Sequence, residues 1–76
     1  GVANRAKNAL FAIRRRQDIA VVELPDELEG CAWAVVAADG RILQTGRADA
    51  VRLELPLDRG ISWLKIGDRA VALPPL

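Results

Sequence analysis

Val35-Val36-Ala37-Ala38-Asp39-Gly40-Arg41-Ile42-Leu43-Gln44 is the stretch on which the fold turns. An Asp-Gly pair between two apolar runs is a strong short-range signal for a tight β-hairpin. In the two-residue form of that turn both central residues take positive φ, which Gly reaches freely and Asp tolerates. The segment therefore predicts two antiparallel strands joined at Asp39 and Gly40.

The same alternation of strand and breaker continues on both sides. Residues 31–38 are nearly all apolar and read as a central strand covered on both faces. Residues 41–45 form its partner, and Gly46-Arg47-Ala48-Asp49 reads as a connection. Val51-Arg52-Leu53-Glu54-Leu55 alternates, which puts Val51, Leu53 and Leu55 toward a core and Arg52 and Glu54 toward solvent. Pro56-Leu57-Asp58-Arg59-Gly60 breaks that strand. Residues 61–66 and 69–73 read as two more, with Gly67-Asp68 turning between them. Pro74-Pro75 cannot donate to a ladder and should end the pairing.

Upstream, residues 18–24 hold the β-branched Ile19, Val21 and Val22 and read as a strand. Pro25-Asp26-Glu27-Leu28-Glu29-Gly30 is an acidic loop with a breaker at each end. Residues 1–8 read as a lead-in to a single domain over 9–76. Residues 9–14 fit two patterns: Val2, Ala6, Ala9, Leu10 and Ile13 lie at helical spacing, while Phe11 and Ile13 alternate as in a strand. Short strands at even intervals predict an all-β fold, a small antiparallel β-sandwich of the Ig-like kind. Six strands follow from pattern, and a seventh depends on residues 9–14.

Composition narrows the functions. A chain of 76 residues has room for one small core, and 51% apolar content is enough to form it. The net charge of +1 is uneven: residues 1–17 carry Arg5, Lys7, Arg14, Arg15 and Arg16 with no acid, and the remainder is net acidic. No aromatic is interleaved with the basic run as base stacking would require, so it reads as a solvated tail and turn and not as a nucleic-acid site. No apolar run approaches the roughly 20 residues of a transmembrane helix. Gly1 reads as the start of an excised or processed segment. Cys31, the single cysteine, excludes an internal disulfide and reads as a packed, inert thiol.

Catalytic groups are sparse. The chain has no His, the commonest general base. Asp26, Glu27 and Glu29 share one loop without the alternating spacing of a calcium site. Asp18 and Asp39 read as turn residues. Ser62 sits in a predicted strand without a base beside it. No phosphate loop or zinc spacing occurs. The expectation is a non-enzymatic domain without cofactor or metal. Trp33 and Trp63 read as packing residues, with an indole N–H that finds a carbonyl.

The order of these motifs resembles the C-terminal domain that serves as the type IX secretion signal in Bacteroidetes, as on gingipain-type proteases. The matching stretches are residues 33–46 around Asp39-Gly40-Arg41, residues 51–55, and residues 60–66 followed by Asp68-Arg69-Ala70-Val71. Residues 9–14 and 19–24 are similar to the family's first hairpin, turning at residues 15–18, which favours a strand at 9–14. The family's Gly-x-aromatic element carries Tyr or Phe; here Trp63 lies one position later. Its usual Lys-rich ending is replaced by Ala70-Val71-Ala72-Leu73-Pro74-Pro75-Leu76.

The resemblance implies a seven-stranded sorting domain recognised by the type IX translocon and an outer-membrane shuttle protein, trimmed by a sortase-like peptidase, and ending at Leu76. Its cargo would pass through the periplasm to the outer-membrane surface or the extracellular space. The recognition residues it implies are Asp39, Gly40, Arg41, Gly60, Trp63, Lys65, Ile66, Arg69 and Val71, with the last hairpin adding to a receptor sheet and Gly60 allowing a close backbone approach. The alternative is a small Ig-like or carbohydrate-binding module appended to a larger protein. Free sheet edges would also permit a dimer.

Overall fold

The computed structural model describes residues 11–76. Seven strands occur in chain order: β1 (Ala12–Arg16), β2 (Ile19–Glu23), β3 (Ala32–Ala37), β4 (Ile42–Arg47), β5 (Arg52–Pro56), β6 (Ser62–Ile66) and β7 (Arg69–Leu73). One sheet has the order β1-β2-β5 and the other β4-β3-β6-β7, and every pairing is antiparallel. This is the small β-sandwich expected from the strand spacing. The seventh strand is present but begins later than residues 9–14 suggest; Ala9 and Leu10 lie outside the described residues.

The two inner faces supply the core. Ala20, Val22, Leu53 and Leu55 come from the three-stranded sheet, and Trp33, Val35, Leu64, Ile66 and Leu73 from the four-stranded one. Complete burial of a Val, Leu or Ile side chain stabilises by about 1.5–3 kcal/mol. Period-two alternation in β5 and β6 makes the inward choice local: buried Leu53 and Leu55 alternate with exposed Arg52 and Glu54, and Leu64 and Ile66 flank exposed Lys65. Leu28 enters the core from a 3-10 turn (Asp26–Leu28) inside the acidic loop, and Ala48 enters from the β4–β5 connection. Neither belongs to a strand, so period-two patterning does not mark them.

The decisive hairpin is built differently from the expected two-residue turn. Gly40 N–H donates to the Ala37 carbonyl at 3.0 Å and Ala37 N–H to the Arg41 carbonyl at 2.8 Å. Ala38 and Asp39 are therefore the central pair, and Gly40 follows at φ 93° while Asp39 keeps negative φ. Turns of this three-residue kind place glycine alone in the left-handed region. Asp39 instead uses its carboxylate, accepting from Arg41 N–H at 3.1 Å and from Arg41 Nε at 2.8 Å.

Three further expectations are corrected. Gly46 and Arg47 belong to β4 and not to a connection, because Gly46 pairs with Trp33 and lets the indole lie over its backbone. β3 is covered only on its inner face; Ala34 and Val36 on its outer face are half-buried and Ala32 is exposed. Val51 lies before β5 and is 40% exposed, its carbonyl accepting from Leu24 N–H instead of its side chain entering the core.

Candidate functional site

The turns collect at two ends of the sandwich. At one end Arg41 in the β3–β4 turn reaches both Asp39, at 2.8 Å, and Asp58 in the β5–β6 connection, at 3.4 Å. The hydrogen-bonded Arg41 guanidinium holds the Asp39 carboxyl below the usual carboxylate range. Asp39 in turn raises Arg41. Leu76 N–H donates to the Asp58 carbonyl at 2.8 Å, so the segment after β7 returns to this end. At the other end Arg69 pairs with Glu27 at 3.1 Å, and Arg47 donates to the Gly30 carbonyl at 2.6 Å. The acidic loop is therefore tied down by two arginines.

The sequence-derived recognition residues separate into three groups. Asp39, Gly40 and Arg41 form the turn just described, with Gly60 in the neighbouring connection. Open space surrounds the position where a Gly60 Cβ would stand, so no part of the described chain uses a close approach there. Ile66 is 1% exposed and belongs to the core, and Val71 is half-buried on the same inward register opposite Leu64. Trp63 and Lys65 lie on the outer face of β6, and Arg69 opens β7.

The outer face of the four-stranded sheet carries an apolar row. Ile42, Val36, Trp63 and Ala72 align across β4, β3, β6 and β7 in the strand register. Ile42 is 66% and Trp63 36% exposed. Beside them run Thr45, Ala34, Lys65 and Ala70. β7 pairs only with β6, leaving one side of its backbone open as a sheet edge.

The two tryptophans thus have opposite environments. Trp33 is 9% exposed and its Nε1 has no hydrogen-bond partner among the described residues, contrary to the expected carbonyl contact. Ser62 is wholly buried, its Oγ likewise without a partner. Cys31 is a half-buried free thiol packed against the core.

The basic run that reads as a solvated tail and turn is corrected: Arg14, Arg15 and Arg16 lie in β1, and the first hairpin turns at Gln17-Asp18 alone and not over residues 15–18. Arg14, Arg15, Arg16 and Arg52 line a shallow hollow of ≈ 250 Å³ over Val21. The run of arginines is plain in the sequence, but Arg52 joins it only through the pairing of β5 with β2. Among the described residues no group of three or more His, Cys, Asp or Glu is placed to hold a metal, and no helix is long and apolar enough to cross a membrane. Comparisons with family models, with curated proteins and with solved structures return no match to this chain.

Proposed function

We propose that this domain is a sorting signal of the type IX secretion kind, recognised as a folded surface by the outer-membrane translocon and its shuttle protein. The observation that carries the reading is the last hairpin, in which β7 stands at a free edge of the four-stranded sheet. A receptor strand can add to such an edge through main-chain hydrogen bonds, with neighbouring side chains giving specificity. Trp63 and Lys65 on the adjoining strand would supply that specificity, and Ala70 and Ala72 keep the edge low and accessible. The seven-strand sandwich supports the reading because the resemblance implies the same strand count. A sortase-like peptidase and cell-surface delivery belong to the same proposal.

The test is a reporter fused ahead of this domain in a type IX-competent host. Deleting residues 69–76 should leave the reporter in the periplasm. Ala70→Lys with Ala72→Lys should do the same while circular dichroism shows the sandwich intact, since charge on an edge strand opposes strand addition. Normal surface display of both variants would sink the proposal.

A second reading, a carbohydrate-binding module, is favoured by the exposed Trp63 indole in an apolar row across the sheet. It requires that a glycan quench or shift Trp63 emission in the Trp33→Phe variant. A glycan array on which Trp63→Ala binds as well as the parent rejects it.

A further inference from the structure

The structure assigns a second binding surface, on the opposite side of the molecule from the apolar row. We propose that the outer face of the three-stranded sheet binds one phosphate-type oxyanion above Val21. Arg14 and Arg16 project from β1, Arg52 from β5, and β2 runs between them. The flanking strands are two interstrand spacings apart, about 10 Å, a gap that arginine side chains from both sides can close. Val21 pairs with Arg14 on one side and Glu54 on the other and forms the floor.

Two observations separate this cluster from an ordinary charged face. Val21 is 2% exposed although its register faces it away from the core, and Arg14 beside it lines the same hollow as Arg16 and Arg52. The guanidinium heads are also uncommitted. Among the described residues the ion pairs join Arg41 to Asp39 and Asp58, and Arg69 to Glu27; none involves this cluster. Arg15 spends only its Nε, on the Gln17 carbonyl at 2.9 Å. Residues 1–10 contain no acid that could neutralise the group.

Guanidinium is planar and offers paired donors, which match the oxygens of phosphate. The hollow suits one such group and falls below the usual size of a drug-like pocket, about 300–1,000 Å³. Glu23 and Glu54 share this face, Glu23 opposite Arg52 and Glu54 beside Val21. They repel an anion and limit the affinity to a Kd on the order of 1 mM.

The experiment is a titration of the folded protein followed by backbone and arginine Nε NMR shifts at constant ionic strength. Inorganic phosphate and glycerol phosphate are the probes and chloride is the control. Saturable shifts at Arg14, Arg16, Val21 and Arg52 are expected with phosphate and not with chloride. Tighter binding of glycerol phosphate would make the natural ligand a phosphomonoester, and the reverse order a free ion. Arg52→Gln should weaken binding about tenfold, the loss of one charge-assisted contact. Arg52→Lys, which keeps stem and charge, should weaken it less. Glu54→Gln should tighten it. Shifts that stay linear, that chloride reproduces, or that survive Arg52→Gln unchanged overturn the site, as does an unaltered affinity in Glu54→Gln.

Discussion

On the outer face of the three-stranded sheet a small apolar residue, Val21, is almost wholly buried between its charged cross-strand partners Arg14 and Glu54, while on the four-stranded sheet a large one, Trp63, stands 36% exposed beside alanines. The contrast follows from the neighbours. Long arginine stems on β1 and β5 can fold over β2 and keep their charges wet. Ala34, Ala70 and Ala72 have no such reach, and Lys65 on the same strand is the one long side chain beside Trp63 on this face among the described residues. One face thus carries long charged side chains, Arg14, Arg16 and Arg52 with Glu23 and Glu54, and the other is a low apolar surface beside an open edge. Burial on a sheet face depends on the length of the residues around a position as much as on the position itself.

The sharpest way to break the contrast is to empty the core that both sheets share. Leu55→Ala on the three-stranded sheet removes a wholly buried side chain and should destabilise by about 2–5 kcal/mol. In a domain this small that is a large share of the total, and chemical denaturation should show the midpoint fall or the fold vanish. Trp33 tests the opposite layer through its seat. A Cβ at position 46 would meet Trp33 Cζ2 at 2.6 Å, so Gly46→Ala should cost about 1–3 kcal/mol as the indole or β4 shifts. A thermal melt unchanged from the parent would show that the ring is not held against β4.

Smaller effects probe the surface. Val21→Ala should cost about 1.5 kcal/mol, two buried methyl groups' worth, although Val21 lies outside the core cluster. A loss near zero would mean that the arginines leave the hollow open to water. The least effect is expected from acid. Asp39 is held below its ordinary pKa in the folded state, so its contribution is present above the unfolded value and is lost as pH falls through the folded one. Denaturation midpoints should therefore drop slightly faster below about pH 4 in the parent than in Asp39→Asn; parallel curves would show that the Arg41 contact adds nothing in solution.

Six of the seven strands, most boundaries and the inward set of β5 and β6 were legible because period-two alternation is a local signal, whereas the residues leading into β1 fit helix and strand alike. Gln17-Asp18 and Gly67-Asp68 show the limit of that signal at turns. Each is a two-residue connection with positive φ at its first residue, 59° at Gln17 and 60° at Gly67, yet only Gly67 carries the residue that advertises it. Gly46 misled for the opposite reason: a glycine that reads as a breaker is in the strand because Trp33, thirteen positions earlier, needs the space. The arginine hollow was half-legible, its run on β1 visible and its fourth member supplied by a distant strand. Recognition residues taken from motif order alone included Ile66, which turns inward, because order along the chain does not specify the face.

The pairing of β2 with β5 has a consequence for how the domain forms. Val22 and Leu53 are roughly thirty residues apart in the chain, and so are Val35 and Leu64 across β3 and β6. Three local hairpins can close early, but neither sheet is complete until one of these distant contacts is made. Folding should then be limited by loop closure and run on the millisecond-to-second scale of non-local β topologies. During that interval the chain presents several half-paired edges at once, and a partner that captures edges would find more of them before folding ends than after.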